Sequence, residues 1–397
     1  MPPSPRTLTA RWIIPMDQPP IENGILTIDG DCIASVSRND RTPDSDLGNV
    51  AILPGFVNAH THLDLTGLRG KCPPSNDFIG WVRQVVSHRR QASPEQVQAD
   101  IASGLEESIR HGTTLLGDIA SGGASWPVLS SAPIRSVVFR EIIGLPEDRA
   151  QQSWQDIQQW LQEHPATEMC RPGVSPHAPY SVRSSLFSNV AGLDVPVAIH
   201  LAETPAELEL LEHHSGPFVD FLQALDVWDA DGLVASPEQV LAMYAGKSAL
   251  FAHGNYLSAD VIPADATIVY CPRTHAAFGH SPHPFREFIK RGIRVAVGTD
   301  SLASNPDLSV LAEIRFMHQQ YPDVSGHDLL HMATLAGAEA LGMADVTGSL
   351  TVGKSADLVV VPLPDEDGDD VYRMVLESQT NVSTMICNGI PLREPVS

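Results

Sequence analysis

Apolar residues recur along this chain with two periods, and the alternation between them lays out its architecture. Short apolar runs of strand length fall near residues 53–60, 113–119, 134–143, 171–177, 195–202, 249–254, 266–271 and 294–300. Between such runs the spacing lengthens to that of a helix. Val97, Ile101, Leu105 and Ile109 recur at every fourth position after Ser93-Pro94-Glu95, an N-cap followed by proline at the first helical position. Apolar strands alternating with amphipathic helices are the pattern of a parallel sheet covered by helices, and eight strands are the number that closes it into a (β/α)8 barrel.

The two ends of the chain have another texture, short strands broken by turns, over 8–15, 24–30 and 32–36 and again over 348–354, 357–361 and 382–389. The expected fold is therefore α/β: a TIM-type barrel over 54–345, with a small β-sandwich domain built jointly by 1–53 and 346–397. At 397 residues the chain exceeds what one core usually holds, which agrees with that division.

Candidate chemistry sits where the strands end. His60-Thr61-His62 follows the apolar run 51–58. Residues i and i+2 of a strand face the same way, so two imidazoles can converge on one ion. Alone, the pair reads as well as polar loop residues. Three further apolar runs change that, because each also ends in a ligand-type residue: His200 with Glu203 three positions on, His253, and Asp300. Several strands delivering such residues to one rim is how a parallel barrel builds an active site.

Composition narrows the partners. A formal net charge of −23 opposes binding to nucleic acid or anionic membranes, since the phosphate term that dominates such binding would be repulsive. A small-molecule substrate follows. Cys32, Cys72, Cys170, Cys271 and Cys387 are scattered and contain no CxxC pair, so neither a disulfide framework nor a cysteine zinc site is expected. No targeting pattern opens the sequence and no run reaches the ~18 apolar residues of a membrane span, so a cytoplasmic protein is expected. The acidic stretch 365–370 lacks the glutamate a calcium loop needs at its twelfth position, where Leu376 stands, and reads as a solvated loop.

Taken together, the motifs resemble the amidohydrolase superfamily, in its cytosine deaminase, S-adenosylhomocysteine deaminase and s-triazine hydrolase branch. They are Pro54-Gly55-Phe56-Val57-Asn58-Ala59-His60-Thr61-His62, Ser175-Pro176-His177-Ala178-Pro179-Tyr180-Ser181, His200-Leu201-Ala202-Glu203-Thr204, His253-Gly254 and Gly298-Thr299-Asp300-Ser301-Leu302-Ala303-Ser304-Asn305. The closing Gly348-Ser349-Leu350 and Gly353-Lys354-Ser355-Ala356-Asp357-Leu358 match the family's return to its terminal sheet. The resemblance implies that His60, His62, His200 and Asp300 hold a divalent metal ion, that Glu203 and Asp300 move protons, and that His253 orients the activated water. Some members hold two metals bridged by a carboxylated lysine on the fourth strand. The lysines here are Lys71, Lys247, Lys290 and Lys354, none of them near that strand, which implies one ion per chain. Zinc is the first expectation for such ligands, with iron or manganese as alternatives.

The same resemblance nominates His177, Arg140, Glu141 and Trp81, besides Glu203, as substrate contacts. Against this, Arg140 and Glu141 could be a solvated charge pair, and Trp81 a core residue of a helix. Deaminases of S-adenosylhomocysteine type carry a glutamate just before the tryptophan corresponding to Trp81, where this chain has Ile79 and Gly80. The segments 78–85, 139–144 and 274–280 look instead like those of the aminodeoxyfutalosine deaminases of the alternative menaquinone route. The implied reaction is hydrolytic deamination at the adenine C6 of a modified nucleoside, 6-amino-6-deoxyfutalosine first. Alternatives are S-adenosylhomocysteine or methylthioadenosine deamination, guanine or pterin deamination, s-triazine hydrolysis and, outside enzymes, an inactive barrel scaffold. The partners expected are a nucleoside-like small molecule and at most a second copy of the chain, as a homodimer.

Overall fold

The computed structural model describes residues 5–38, 42–365, 368 and 370–393. Glu366, Asp367 and Asp369 of the acidic stretch lie outside the described residues. Eight parallel strands form one sheet in chain order: β6 (Phe56–Thr61), β7 (Thr113–Ser121), β8 (Arg135–Ile142), β9 (Cys170–Pro176), β10 (Val197–Leu201), β11 (Ala249–His253), β12 (Thr267–Tyr270) and β13 (Arg294–Val297). Their outward side chains, among them Leu116, Val138, Ile199, Phe251 and Val295, are buried against the helices. Inward, Val57, Ala59, Phe139, Ala198, Leu250 and Ala296 fill the barrel. Burial on both faces is why these strands read as continuous apolar runs rather than alternating ones.

The barrel closes at the rim that carries the candidate residues. The N–H groups of Thr299 and Asp300 both donate to the His60 carbonyl, at 3.1 and 3.0 Å. A Cβ on Gly298 would lie 2.8 Å from the Cβ and carbonyl oxygen of His60, so only glycine lets the end of β13 come this close.

A second sheet joins the two ends of the chain. Its order is β16 (Ile390–Arg393), β15 (Thr384–Cys387), β14 (Leu358–Pro362), β5 (Val50–Pro54), β1 (Arg6–Ile13), β2 (Ile21–Asp29) and β3 (Cys32–Arg38), with the short β4 (Ser45–Asp46) on β1. Most pairs are antiparallel, and the domain expected as a sandwich is built as this single hydrogen-bonded sheet. Buried Arg135, at the start of β8, ties it to the barrel through Asp357 (Nε–Oδ2 3.1 Å) and Asn388 (Nη2–Oδ1 3.1 Å).

One expected strand divides. The run 53–60 belongs partly to β5, paired with β14, and partly to β6 in the barrel, with Gly55 between them. A Cβ at Gly55 would lie 2.1 Å from Thr114 Oγ1. Both strands are buried on both sides, so hydropathy shows no break where the chain changes sheets. Among the described residues, no helix is long and apolar enough to cross a membrane.

Candidate metal centre and active site

Two strands, β6 and β10, bring three imidazoles to one point. The pairing register of β6 on β7 slips between Asn58 and Thr61, and such a bulge re-aims side chains. His60 and His62 thereby share the barrel interior with Val57 and Ala59, opposite His200 at the end of β10. One nitrogen from each of the three histidines lies within 4.8 Å of the others, and His62 Nε2 is 3.2 Å from His200 Nε2. Among the described residues, His60 Nε2 is buried without a hydrogen-bond partner. His200 donates its Nδ1–H to the His177 carbonyl at 2.9 Å, which turns the Nε2 lone pair toward the cluster. Burial first, and the neighbouring imidazoles second, hold His60 and His62 well below the usual histidine pKa, and His200 down to about 3. Neutral imidazoles with converging lone pairs suit a cation.

Asp300 completes the group. Its Oδ1 is 3.8 Å from His60 Nε2 and 3.6 Å from His62 Nε2, while Oδ2 accepts from Ser304 Oγ at 2.9 Å. Burial raises its pKa to about 7 against the opposing Ser304 hydrogen bond. Glu203 lies on the adjacent rim, with Oε1 3.6 Å from His253 Nε2. Burial, then the charges of Asp300 and Glu207, push its carboxyl well above the usual range. The turn presenting Glu203 is rigid. Ala202 sits at φ 50°, and the fully buried Glu207 carboxylate accepts the N–H groups of Ala202 and Glu203 at 2.9 and 3.0 Å. Asn255 adds a hydrogen bond to the Glu203 carbonyl at 2.9 Å.

A cavity of about 110 Å³ opens over this group. The helix Phe78–Gln91 forms one wall, presenting Phe78, Trp81, Val82, Val85, Val86 and Arg89 at three- and four-residue spacing. Trp81 lines the cavity, but its indole N–H donates to the Cys72 carbonyl at 3.1 Å, leaving an apolar ring. Phe278, from the 274–280 segment, packs on Trp81 with ring centroids 5.1 Å apart. His177 lines the cavity beside His200, ring centroids 4.9 Å apart.

The strand-end pair divides between two faces. Glu141 lines the cavity, whereas Arg140 does not: it points outward, its guanidinium donating to the Asp156 carbonyl at 3.2 Å and lying over the Trp160 ring. Neighbours on a strand face opposite ways, so both could not reach one cavity. The position of Arg140 as a substrate contact is thereby corrected. Arg89, which motif reading missed, lines the cavity in its place, and Asp64, also missed, holds Arg89. Arg89 donates from Nε to Asp64 Oδ2 and from Nη1 to Glu141 Oε2, both at 3.0 Å. The available signal was an arginine continuing the apolar face of a helix, where a charge stays only if it has partners.

The amidohydrolase family matches residues 51–391, from β5 through β16. The chain belongs to the amidohydrolase family. A 5-methylthioadenosine/S-adenosylhomocysteine deaminase of Moorella thermoacetica is 29% identical over 415 residues, covering 95% of this chain and 91% of that protein. An aminodeoxyfutalosine deaminase of a Nitratiruptor strain is 27% identical over 359 residues, covering 86% of each. In three dimensions the chain is similar to an adenosine deaminase of Xanthomonas campestris with bound zinc: TM-score 0.82 at 23% identity, covering 98% of this chain and 92% of that one. That likeness shows the barrel with its terminal sheet. The expected enzyme class, a hydrolytic deaminase of this metal-dependent family, agrees with the family match and with both relatives. The histidine cluster could hold the metal ion such an enzyme uses.

Proposed function

We propose that this amidohydrolase removes the 6-amino group of an adenine nucleoside as ammonia, with 6-amino-6-deoxyfutalosine its first candidate substrate. The observation that carries the reading is the pairing of a cation-ready histidine cluster with two buried carboxyls, Glu203 and Asp300, whose pKa values are both raised. One buried carboxyl held toward its protonated form and another beside the histidine cluster can give and take protons, as replacing a ring amino group by water requires.

His60, His62, His200 and Asp300 would hold one divalent ion. The unpartnered buried nitrogen of His60, the neutral state of the imidazoles and the mixed nitrogen and oxygen donors fit zinc first, and iron or manganese next. A divalent ion bound there supplies Lewis acidity that lowers the pKa of a water molecule toward ~7. Glu203, in its protonated form, donates to the ring nitrogen next to the carbon under attack. Asp300 takes a proton from the attacking water. The departing amine then receives a proton from one of these two carboxyls and leaves as ammonia, and the hydroxyl left on the ring carbon gives its proton to a carboxyl, forming the carbonyl and restoring the starting state. His253, 3.6 Å from Glu203, orients the attacking water. Trp81 and Phe78 offer an apolar wall for a flat base, while His177, beside His200, and Glu141 supply polar contacts.

Ile79 and Gly80 stand where S-adenosylhomocysteine deaminases carry a glutamate, which favours the futalosine-type substrate. Methylthioadenosine and S-adenosylhomocysteine form the second reading, supported by the Moorella relative. A screen of the metal-loaded protein for ammonia release decides between them. It would use 6-amino-6-deoxyfutalosine, methylthioadenosine, S-adenosylhomocysteine, guanine, a pterin and an s-triazine. Activity confined to an amide or lactam would overturn the deaminase reading, and inactivity throughout would favour a silent scaffold.

Elemental analysis is expected to find about one tightly held ion per chain, because the three-histidine cluster with Asp300 beside it offers donors for one ion and β9 contains no lysine to bridge a second. Two tightly held ions would contradict this arrangement.

A further inference from the structure

Glu141 carries a buried acceptor that no group among the described residues satisfies. Its side chain is only 2% exposed; Oε2 takes the Arg89 hydrogen bond, and Oε1 has no partner among the described residues. An unpaired buried carboxylate oxygen is costly, so a position that keeps one facing a cavity points to a ligand that donates to it. His177 Nε2 lies 3.8 Å from Oε1, beyond hydrogen-bond distance.

His177 Nε2 is an acceptor too. Ser181 Oγ lies 3.1 Å from the Ala178 carbonyl and can only donate there, which leaves it to accept the Nδ1–H of His177 at 2.7 Å. This network assigns the imidazole its Nδ1–H tautomer, with the Nε2 lone pair toward the cavity. Two acceptors therefore face one gap, and filling it takes two hydrogens from the ligand.

The charge around the gap narrows the ligand further. Arg89 is clamped between Asp64 and Glu141, one cation between two carboxylates. An anionic group would meet a surplus of negative charge, and an apolar one would leave both acceptors unpaired. A pair of neighbouring hydroxyls meets both conditions. We propose that Glu141 and His177 form a two-acceptor cleft for a vicinal diol of the substrate, and that Arg89 and Asp64 are positioning residues that hold the Glu141 carboxylate in place. Resting on the nucleoside reading above, this assigns the cleft to the ribose hydroxyls and makes the enzyme selective for ribonucleosides over deoxynucleosides.

The test measures binding and turnover separately. Purine riboside and its 2′-deoxy and 3′-deoxy forms, which have no amino group to release, are titrated into the metal-loaded protein by calorimetry, while ammonia release is followed with adenosine and 2′-deoxyadenosine. Wild type is expected to bind the riboside roughly 10- to 100-fold more tightly than the deoxy form lacking the hydroxyl on Glu141, the range for one hydrogen bond to a charged acceptor, and about 2- to 10-fold more tightly than the form lacking the hydroxyl on neutral His177. Glu141→Gln should shrink the larger of these two preferences to within about threefold while leaving the smaller one unchanged, since a neutral acceptor contributes less. Equal binding of the three forms by wild type overturns the proposal without any variant, and so does an undiminished preference in Glu141→Gln. A ribose preference with no ammonia from any adenine nucleoside leaves the cleft standing and removes the deaminase reading. Ammonia release without a ribose preference does the reverse, and failure to bind any of these nucleosides overturns both.

Discussion

Asp300→Asn is expected to lower ammonia release by at least about 10²–10⁴-fold, the range for losing one positioned acid–base group, while the protein stays folded. Asparagine keeps the volume and an oxygen to accept from Ser304 Oγ, and it is among the few residues at ease near the φ of 56° seen here. The backbone link from Asp300 to the His60 carbonyl is untouched. What disappears is the charge beside His60 and His62, together with the basic oxygen that would take a proton from water. These two losses separate experimentally. Weaker ion retention should show in elemental analysis after dialysis, whereas excess ion should restore occupancy without restoring the rate. A variant with full ion content and wild-type turnover would remove Asp300 from both roles.

The barrel was legible because its strands are buried on both faces. Sequences of this kind show apolar runs that stop where the chain reaches solvent or a site, and His60, His200, His253 and Asp300 each follow such a stop. The structure gathers these residues, with His62 and Glu203, at one rim. Less legible was anything that depends on a shift of one residue. Arg140 and Glu141 are adjacent, and only the strand's parity decides which meets the cavity. The change of sheet at Gly55 was hidden for a related reason, since two doubly buried strands follow one another without a polar break. The clamp of Asp64, Arg89 and Glu141 was not visible as a motif. Its members are 25 and 52 positions apart, on a 3-10 turn, a helix and a strand, and no local spacing links them.

Glu203→Gln should separate proton transfer from ion binding more cleanly than any other change at this site. Glutamine matches glutamate in size, and the turn presenting residue 203 is fixed from outside the side chain, by Glu207 on two backbone N–H groups and by Asn255 on the carbonyl. The fold and the histidine cluster should therefore survive, and ion content should stay near wild type. Turnover of the adenine nucleoside should fall by about 10²–10⁴-fold, because an amide cannot give its proton to a ring nitrogen or return one to a departing amine. The loss should be smaller for 6-chloropurine riboside, whose chloride leaves without needing a proton, so that only the ring-nitrogen transfer remains to be missed. Equal losses on the two substrates would confine Glu203 to the ring nitrogen. Loss of the ion together with the activity would make Glu203 a ligand, and the proton transfers would then fall to Asp300.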